Sequence, residues 1–203
     1  MNSTDLTSEI EVLLALYETE PEHTRQVALL AQQLFDALKS WHGLNQRDRD
    51  LLQTAALLHD IGWSQTQPDG IGHHKETGRM IRKHLWRNLN PDEVELVAQV
   101  ARYHRKNLPN PIEHRPFALL SENDQRRIQF LSALLRVADG LDRRHAQVVS
   151  QVLAGFTSGG LLIEAVALVD IAPEIMAADR KADLLRALTP GVHVRPVAFV
   201  IVL

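Results

Sequence analysis

The stretch LLHDIGWSQT, residues 57–66, sets an imidazole, His59, beside a carboxylate, Asp60, at the end of an apolar run. Buried polar groups of this kind must be satisfied by partners or by an ion. Other candidates are spread along the chain. His23 lies one helical turn before Val27, on a stripe continued by Leu30 and Leu34. His59 shares a face with Leu52 and Ala55, and Asp60 lies about 100° further round that helix. His104 continues Val94, Val97 and Ala101, Asp139 follows Leu131 and Leu135, and His74 opens a helix one turn before Gly78. Each group alone has a plain account as a hydrogen-bonded core residue, or for Asp139 as a partner of Arg136 or Arg143. Together they would need several separate buried partners, whereas one shared cation satisfies them all. The interior of a helical bundle is a natural place for such a site.

The elements that must position these groups read as helices over the first three-quarters of the chain. Residues 5–17 are amphipathic, and a helix opening at Pro21 continues to about Trp41. A third runs from about Arg47 to Ile61 and is ended by Gly62. Further helices are expected from about His74 to Trp86 and, with an Asn90 cap, from Pro91 to His104. Residues 122–151 form a long helical pattern with a bend near Gly140. After residue 151 come two strands joined by a Ser-Gly-Gly turn, one helix and a terminal alternating strand from His193. The fold class is mainly α: a helical unit over 1–150, followed by a small antiparallel sheet with one helix over 151–203, packed on it.

Composition narrows the function. The chain has 203 residues, 45% hydrophobic and 23% charged, which suits a globular protein with a real core. A formal net charge of -3 gives no broad field for nucleic acid or an anionic membrane, so an anionic substrate must be held by local positive groups. The absence of cysteine excludes thiolate metal sites and fits a reducing compartment. No signal peptide or membrane-length apolar run is evident, and a cytoplasmic location is expected. The apolar end, VRPVAFVIVL, is open to pairing in a homodimer, although burial in its own sheet is the simpler account.

The order His23, His59-Asp60, His74, His104, Asp139 resembles the HD-domain metal-dependent phosphohydrolases. AALLHDIG, HHKETGRMI, ARYHRKNLP and LLRVADGLDRRH look like the C-terminal HD domain of the exopolyphosphatase and guanosine pentaphosphate phosphohydrolase (Ppx/GppA) family. The likeness covers roughly residues 20–150, with a weaker echo in RKADLLRALTPGVHV. It implies an HD-type bundle in which His23, His59, Asp60 and Asp139 hold a primary metal. His74 and His104 would hold a second, with Asp60 bridging. His73 is a rival for His74, which is preferred because the family's histidine precedes a small residue by one turn. The actin-like domains that carry polyphosphate chemistry in full-length members have no counterpart before residue 20, so that activity does not transfer.

Imidazole and carboxylate ligands favour Mn, Fe, Co, Ni or Zn over Ca, with Mg admitted by Asp60 and Asp139. One or two such ions would lower the pKa of a water for attack on phosphorus, with His59 and Asp60 at the catalytic centre. Asp60 would bridge or orient; no second general base is evident. Lys75, Arg79, Arg105, Lys106 and Arg143 are the cations expected to hold the phosphate of a small phosphorylated substrate. Trp41, Trp63 and Trp86 could stack on a base, although packing accounts for each. The leading expectation is a phosphomonoesterase or phosphodiesterase. The competing ones are a regulatory module that binds a nucleotide or polyphosphate without turnover, and a di-iron oxygenase, for which further histidine ligands are missing.

Overall fold

The computed structural model describes residues 3–67 and 69–197. Ten helices and three strands follow in order: α1 (Ser3–Tyr17), α2 (Pro21–Ala37), α3 (Lys39–His42), α4 (Gln46–Leu58), α5 (His73–Lys83), α6 (Pro91–Arg102), α7 (Arg115–Ala118), α8 (Glu122–Gly140), β1 (Val149–Thr157), β2 (Gly160–Ala167), α9 (Ala172–Lys181), α10 (Asp183–Leu188) and β3 (His193–Pro196). A 3-10 turn, Ile61–Gln65, links α4 to the loop before α5. The Asn90 cap acts as expected, and two further caps accompany it. Asn45 and Asn90 each close a capping box, with Asp48 and Glu93, and Ser121 caps α8.

The core runs between α2, α4, α6 and α8. Leu30, Leu34, Leu51, Leu52, Val97, Leu131 and Leu135 are fully buried there, so the inward stripes of the sequence meet. The helices α4, α5 and α6 end two or three residues before the expected Ile61, Trp86 and His104, and two other elements break where continuation was expected. The second helix breaks at Leu38 into the single turn α3, which ends at Gly43 in the left-handed region (φ 67°). The long pattern from 122 stops at Gly140 instead of bending, because α9 crosses there: a β-carbon on Gly140 would stand 2.5 Å from Ala178 Cα. The chain then turns, and β1 begins at Val149.

The sheet has the order β1-β2-β3. β1 and β2 form the expected antiparallel hairpin, but β3 runs parallel to β2. A third antiparallel strand needs a short return, whereas α9 and α10 carry the chain back to the starting end of β2. These are two helices where one was expected, parted at Ala182. The final stretch from residue 198 lies outside the described residues. No helix among the described residues is long and apolar enough to cross a membrane.

One core histidine shows how a lone buried imidazole is satisfied. His42 Nε2 donates to Phe35 O at 2.9 Å and its Nδ1 accepts from Leu44 N at 3.0 Å, an arrangement that requires the neutral ring. Burial lowers its pKa from the ordinary 6.5. As the pH falls the unfolded chain takes up the proton first, so the stability this site contributes is complete above 6.5 and is lost below it. Unfolding measured from pH 8 to pH 5 should therefore show a shallower acid slope in His42→Gln than in the wild type.

Candidate metal centre

The side chains expected to do chemistry stand at helix ends, and this controls their protonation. His59 follows the last residue of α4, His104 follows α6 by two residues, and His73 opens α5. Carbonyls in a final turn or loop lack intrahelical partners, and each ring takes the one three residues back. His59 Nδ1 donates to Ala56 O at 2.7 Å, His104 Nδ1 to Ala101 O at 2.7 Å and His73 Nδ1 to Gly70 O at 2.9 Å. His23, inside α2, donates Nδ1 to the buried Asp142 carboxylate at 2.9 Å. All four rings thus carry their proton on Nδ1 and present an Nε2 lone pair to one centre.

Those lone pairs crowd together. His73 Nε2 lies 3.1 Å from Asp60 Oδ1 and 3.3 Å from His104 Nε2, and His104 Nε2 lies 3.5 Å from the same Asp60 oxygen. His59 Nε2 is 3.5 Å from Asp60 Oδ2, and His23 Nε2 is 3.8 Å from Asp139 Oδ1. Three overlapping groups have ligand atoms within 4.8 Å of one another: His23, His59 and Asp60; His59, His104 and Asp139; Asp60, His73 and His104. The buried atoms His23 Nε2, His59 Nε2 and Asp60 Oδ1 make no hydrogen bond. Acceptors facing acceptors in a buried space repel unless a cation lies among them. Mixed imidazole nitrogen and carboxylate oxygen suit a divalent transition ion, so the donor set fits one.

The electrostatics agree. Burial opposes ionisation of Asp60, yet His59, His73 and His104 hold its carboxyl well below the usual carboxylate range. Burial opposes ionisation of Asp139 too, and the Lys181 ammonium with His59 and His104 overrides it. Burial pushes the His104 imidazole well below its ordinary value in spite of Asp60. Positive charge at the rings is what lowers Asp60, and a bound cation would supply that charge with the rings neutral.

The turn after α4 is built to hold this geometry. Gly62 N donates to Thr77 Oγ1, which donates to His59 O, tying the turn to α5. A β-carbon on Gly62 would meet His73 O at 2.2 Å, so a side chain there would push α5 and His73 away. Trp63 stacks on the His73 ring, with centroids 4.6 Å apart. Trp41 packs edge-on against Phe130, and Trp86 Nε1 donates to Ile81 O.

His74 stands in none of the three groups; His73 takes the place for which His74 was preferred. The α5 helix begins at His73, after Gly72 at φ 86°, so the first ring falls toward Asp60. His74 instead lines a basic cavity of about 480 Å³ with Lys75, Arg102, Arg105 and Lys106. Burial first, then His73, Arg105, Lys75 and Arg102, brings its pKa to about 4. Arg105 joins the cavity to the cluster, with Nη1 at 3.4 Å from both His73 ring nitrogens. Arg79 pairs with Glu76 on an exposed face outside this cavity, and Arg143 is exposed in the turn after α8, also outside it.

Four further residues were not foreseen. Asp142 backs His23 and also accepts from Gln147 N at 2.8 Å. His145 stacks on His23 with ring centres 3.7 Å apart, in a turn where His145 and Gln147 both adopt positive φ. Lys181 pairs with Asp139 Oδ2. Glu18, with Oε2 buried and unbonded, has its pKa raised by burial and by the Asp60 charge, although His59 opposes this. Asp142 stands one turn after Asp139, a spacing legible in LLRVADGLD; the other three carry no comparable signal. Because Asp142 fixes the His23 tautomer, Asp142→Ala should weaken binding of Mn by about 10–100-fold in a calorimetric titration.

No curated protein matches the chain at a significant level. The family model described as HD domain matches residues 22–144, a span holding His23, His59, Asp60, His73, His104 and Asp139. HD domains are in general hydrolases that depend on divalent metals. With more than half of its length matched and the paired His59-Asp60 at the centre of a convergent ligand set, the chain belongs to the HD domain family.

Proposed function

We propose that this chain is a metal-dependent phosphohydrolase that cleaves a phosphate ester or anhydride of a nucleotide or another small phosphorylated compound. The observation that carries this reading is the convergence of four Nε2 atoms and two carboxylates beside a cavity lined by four cations, Lys75, Arg102, Arg105 and Lys106, against one carboxylate, Asp69. His23, His59, Asp60, His73, His104 and Asp139 would hold one or two divalent ions among Mn, Fe, Co, Ni, Zn and Mg. Such an ion supplies a water that ionises near neutral pH and a Lewis acid for a phosphoryl oxygen.

The chain's own groups supply the rest. Asp60 belongs to two of the three ligand groups, so its carboxylate orients both ends of the site. Lys75, Arg102, Arg105 and Lys106 form no ion pair among the described residues, unlike Arg47, Arg49, Arg82 and Arg136. Free cations beside the ligand cluster fit the phosphate oxygens, with arginine binding two at once. Their neighbour Tyr103 bonds His114 and lies under the Arg102 guanidinium, so recognition here rests on charge more than on stacking.

Kinship with the Ppx/GppA HD domains is the finer form of this proposal, supported by AALLHDIG, ARYHRKNLP and LLRVADGLDRRH. The test is phosphate release from 4-nitrophenyl phosphate and from a nucleotide panel with Mn added. Release that is abolished by chelation supports the reading. Inactivity across the panel with Mn bound would contradict it, and would assign the domain to binding without turnover.

A further inference from the structure

Lys181 is the last residue of α9, in the part of the chain that the family match does not reach. Its ammonium nevertheless pairs with Oδ2 of Asp139, at the edge of the ligand cluster. The approach is built into the packing. Gly140, next to Asp139, admits the α9 backbone, since any β-carbon there would stand 2.5 Å from Ala178 Cα and 2.6 Å from Ala178 N. Glu174, fully buried on α9, accepts from Arg144 Nε at 2.8 Å and so ties α9 to the turn that carries Asp142 and His145. The end of α9 is thereby held level with Asp139. Arg136, the other cation near that end of α8, is engaged with Asp183 and with the carbonyl of Tyr103.

We propose that Lys181 is a positioning residue which occupies one oxygen of Asp139 and sets a positive charge beside it, so that the C-terminal α/β part tunes the metal affinity of that end of the cluster. The inference rests on the reading of the cluster as a metal site. The ammonium occupies Oδ2 and leaves Oδ1 turned toward His23 Nε2, 3.8 Å away. Asp139 then offers one oxygen to the group it forms with His59 and His104, where a free carboxylate would offer two. The same ammonium repels a dication in that group. The Asp139 end is consequently weaker for metal than the Asp60 end, where His59, His73 and His104 stand 3.1–3.5 Å from a carboxylate with no Lys or Arg paired to it among the described residues.

The account differs in sign from a purely structural role. If Lys181 merely anchors Asp139, its loss frees the carboxylate and weakens metal binding. If it acts as proposed, its loss removes a like charge at ligand distance and strengthens binding. The full chain is stripped with chelator and titrated with Mn alone in a calorimeter, as wild type, Lys181→Met and Lys181→Arg. Methionine preserves the length and packing of the side chain, and arginine restores the charge. The expected result is about tenfold tighter Mn binding in K181M and wild-type affinity in K181R. Thermal unfolding without metal checks that both variants fold. Equal or weaker Mn binding in a folded K181M would overturn the proposal, as would a failure of Mn to bind either chain. Because the readout involves no substrate, a chain that retains Mn but releases no phosphate would contradict the proposed hydrolysis and leave this assignment standing.

Discussion

Replacing Asp60 by asparagine is expected to reduce phosphate release by about a thousandfold or more and to strip the metal from the purified chain. Asparagine fills the same space, so the loss isolates charge from packing. The carboxylate has His73 and His104 at 3.1 and 3.5 Å from one oxygen and His59 at 3.5 Å from the other. It belongs to two of the three ligand groups, so one substitution weakens both. Metal-dependent stabilisation of a phosphoryl transfer state amounts to several kcal/mol, and each 1.4 kcal/mol is about a factor of ten. Helicity should survive, because Asp60 lies on the turn after α4 and caps no helix through its side chain. A circular dichroism spectrum matching wild type, with metal content near zero by elemental analysis, is the expected pair of results. Retention of full activity in Asp60→Asn would remove the basis for placing chemistry at this cluster.

The second large effect separates two adjacent histidines. His73→Ala should weaken Mn binding by more than about a hundredfold, beyond the 10–100-fold typical of groups that only support a ligand. His74→Ala should leave Mn affinity within about threefold of wild type and instead raise KM. The contrast follows from geometry: His73 Nε2 faces Asp60 and His104, whereas His74 lines the basic cavity with Lys75 and Arg105. Paired Mn titrations and steady-state kinetics on the two variants measure it. Equal effects on metal affinity would mean that both rings serve one ion.

The same pair of residues marks where reading by periodicity stops. His23, His59, His104 and Asp139 were legible because each extends an apolar stripe within or just beyond a helix, and a stripe has a direction. At the first residues of a helix the phase is set by the preceding loop, here Gly72 at positive φ, and residue spacing carries no information about it. Hence spacing gives no ground for preferring His74 to its rival His73, and in the structure it is His73 that joins a candidate ligand group. Asp142 was within reach, one turn after Asp139, but was read as part of a continuing helix. That helix ends at Gly140 because of α9, a long-range contact invisible to local pattern. Lys181 stands 42 positions from Asp139, and a lysine at the end of an amphipathic helix is ordinarily a solvated one. The parallel placement of β3 escaped notice for a related reason: strand direction depends on the route taken by α9 and α10, and alternation in the strand itself does not encode it. Among the proposed phosphate contacts, Lys75, Arg105 and Lys106 share a cavity, while Arg79 is engaged with Glu76. A cation next to a ligand in sequence is turned by the helix toward either face.

The claim on which the rest depends is that the inward Nε2 atoms and the two carboxylates are ligands to an ion rather than a set of separately satisfied core groups. Manganese titration of the chelator-stripped full chain, followed by elemental analysis after desalting, tests it most directly. The account expects at least one ion retained per chain and a rise in unfolding temperature with Mn concentration, since an ion that binds the folded state stabilises it. A folded chain that retains no Mn, Fe, Co, Ni, Zn or Mg, and whose unfolding temperature is indifferent to each, would contradict it.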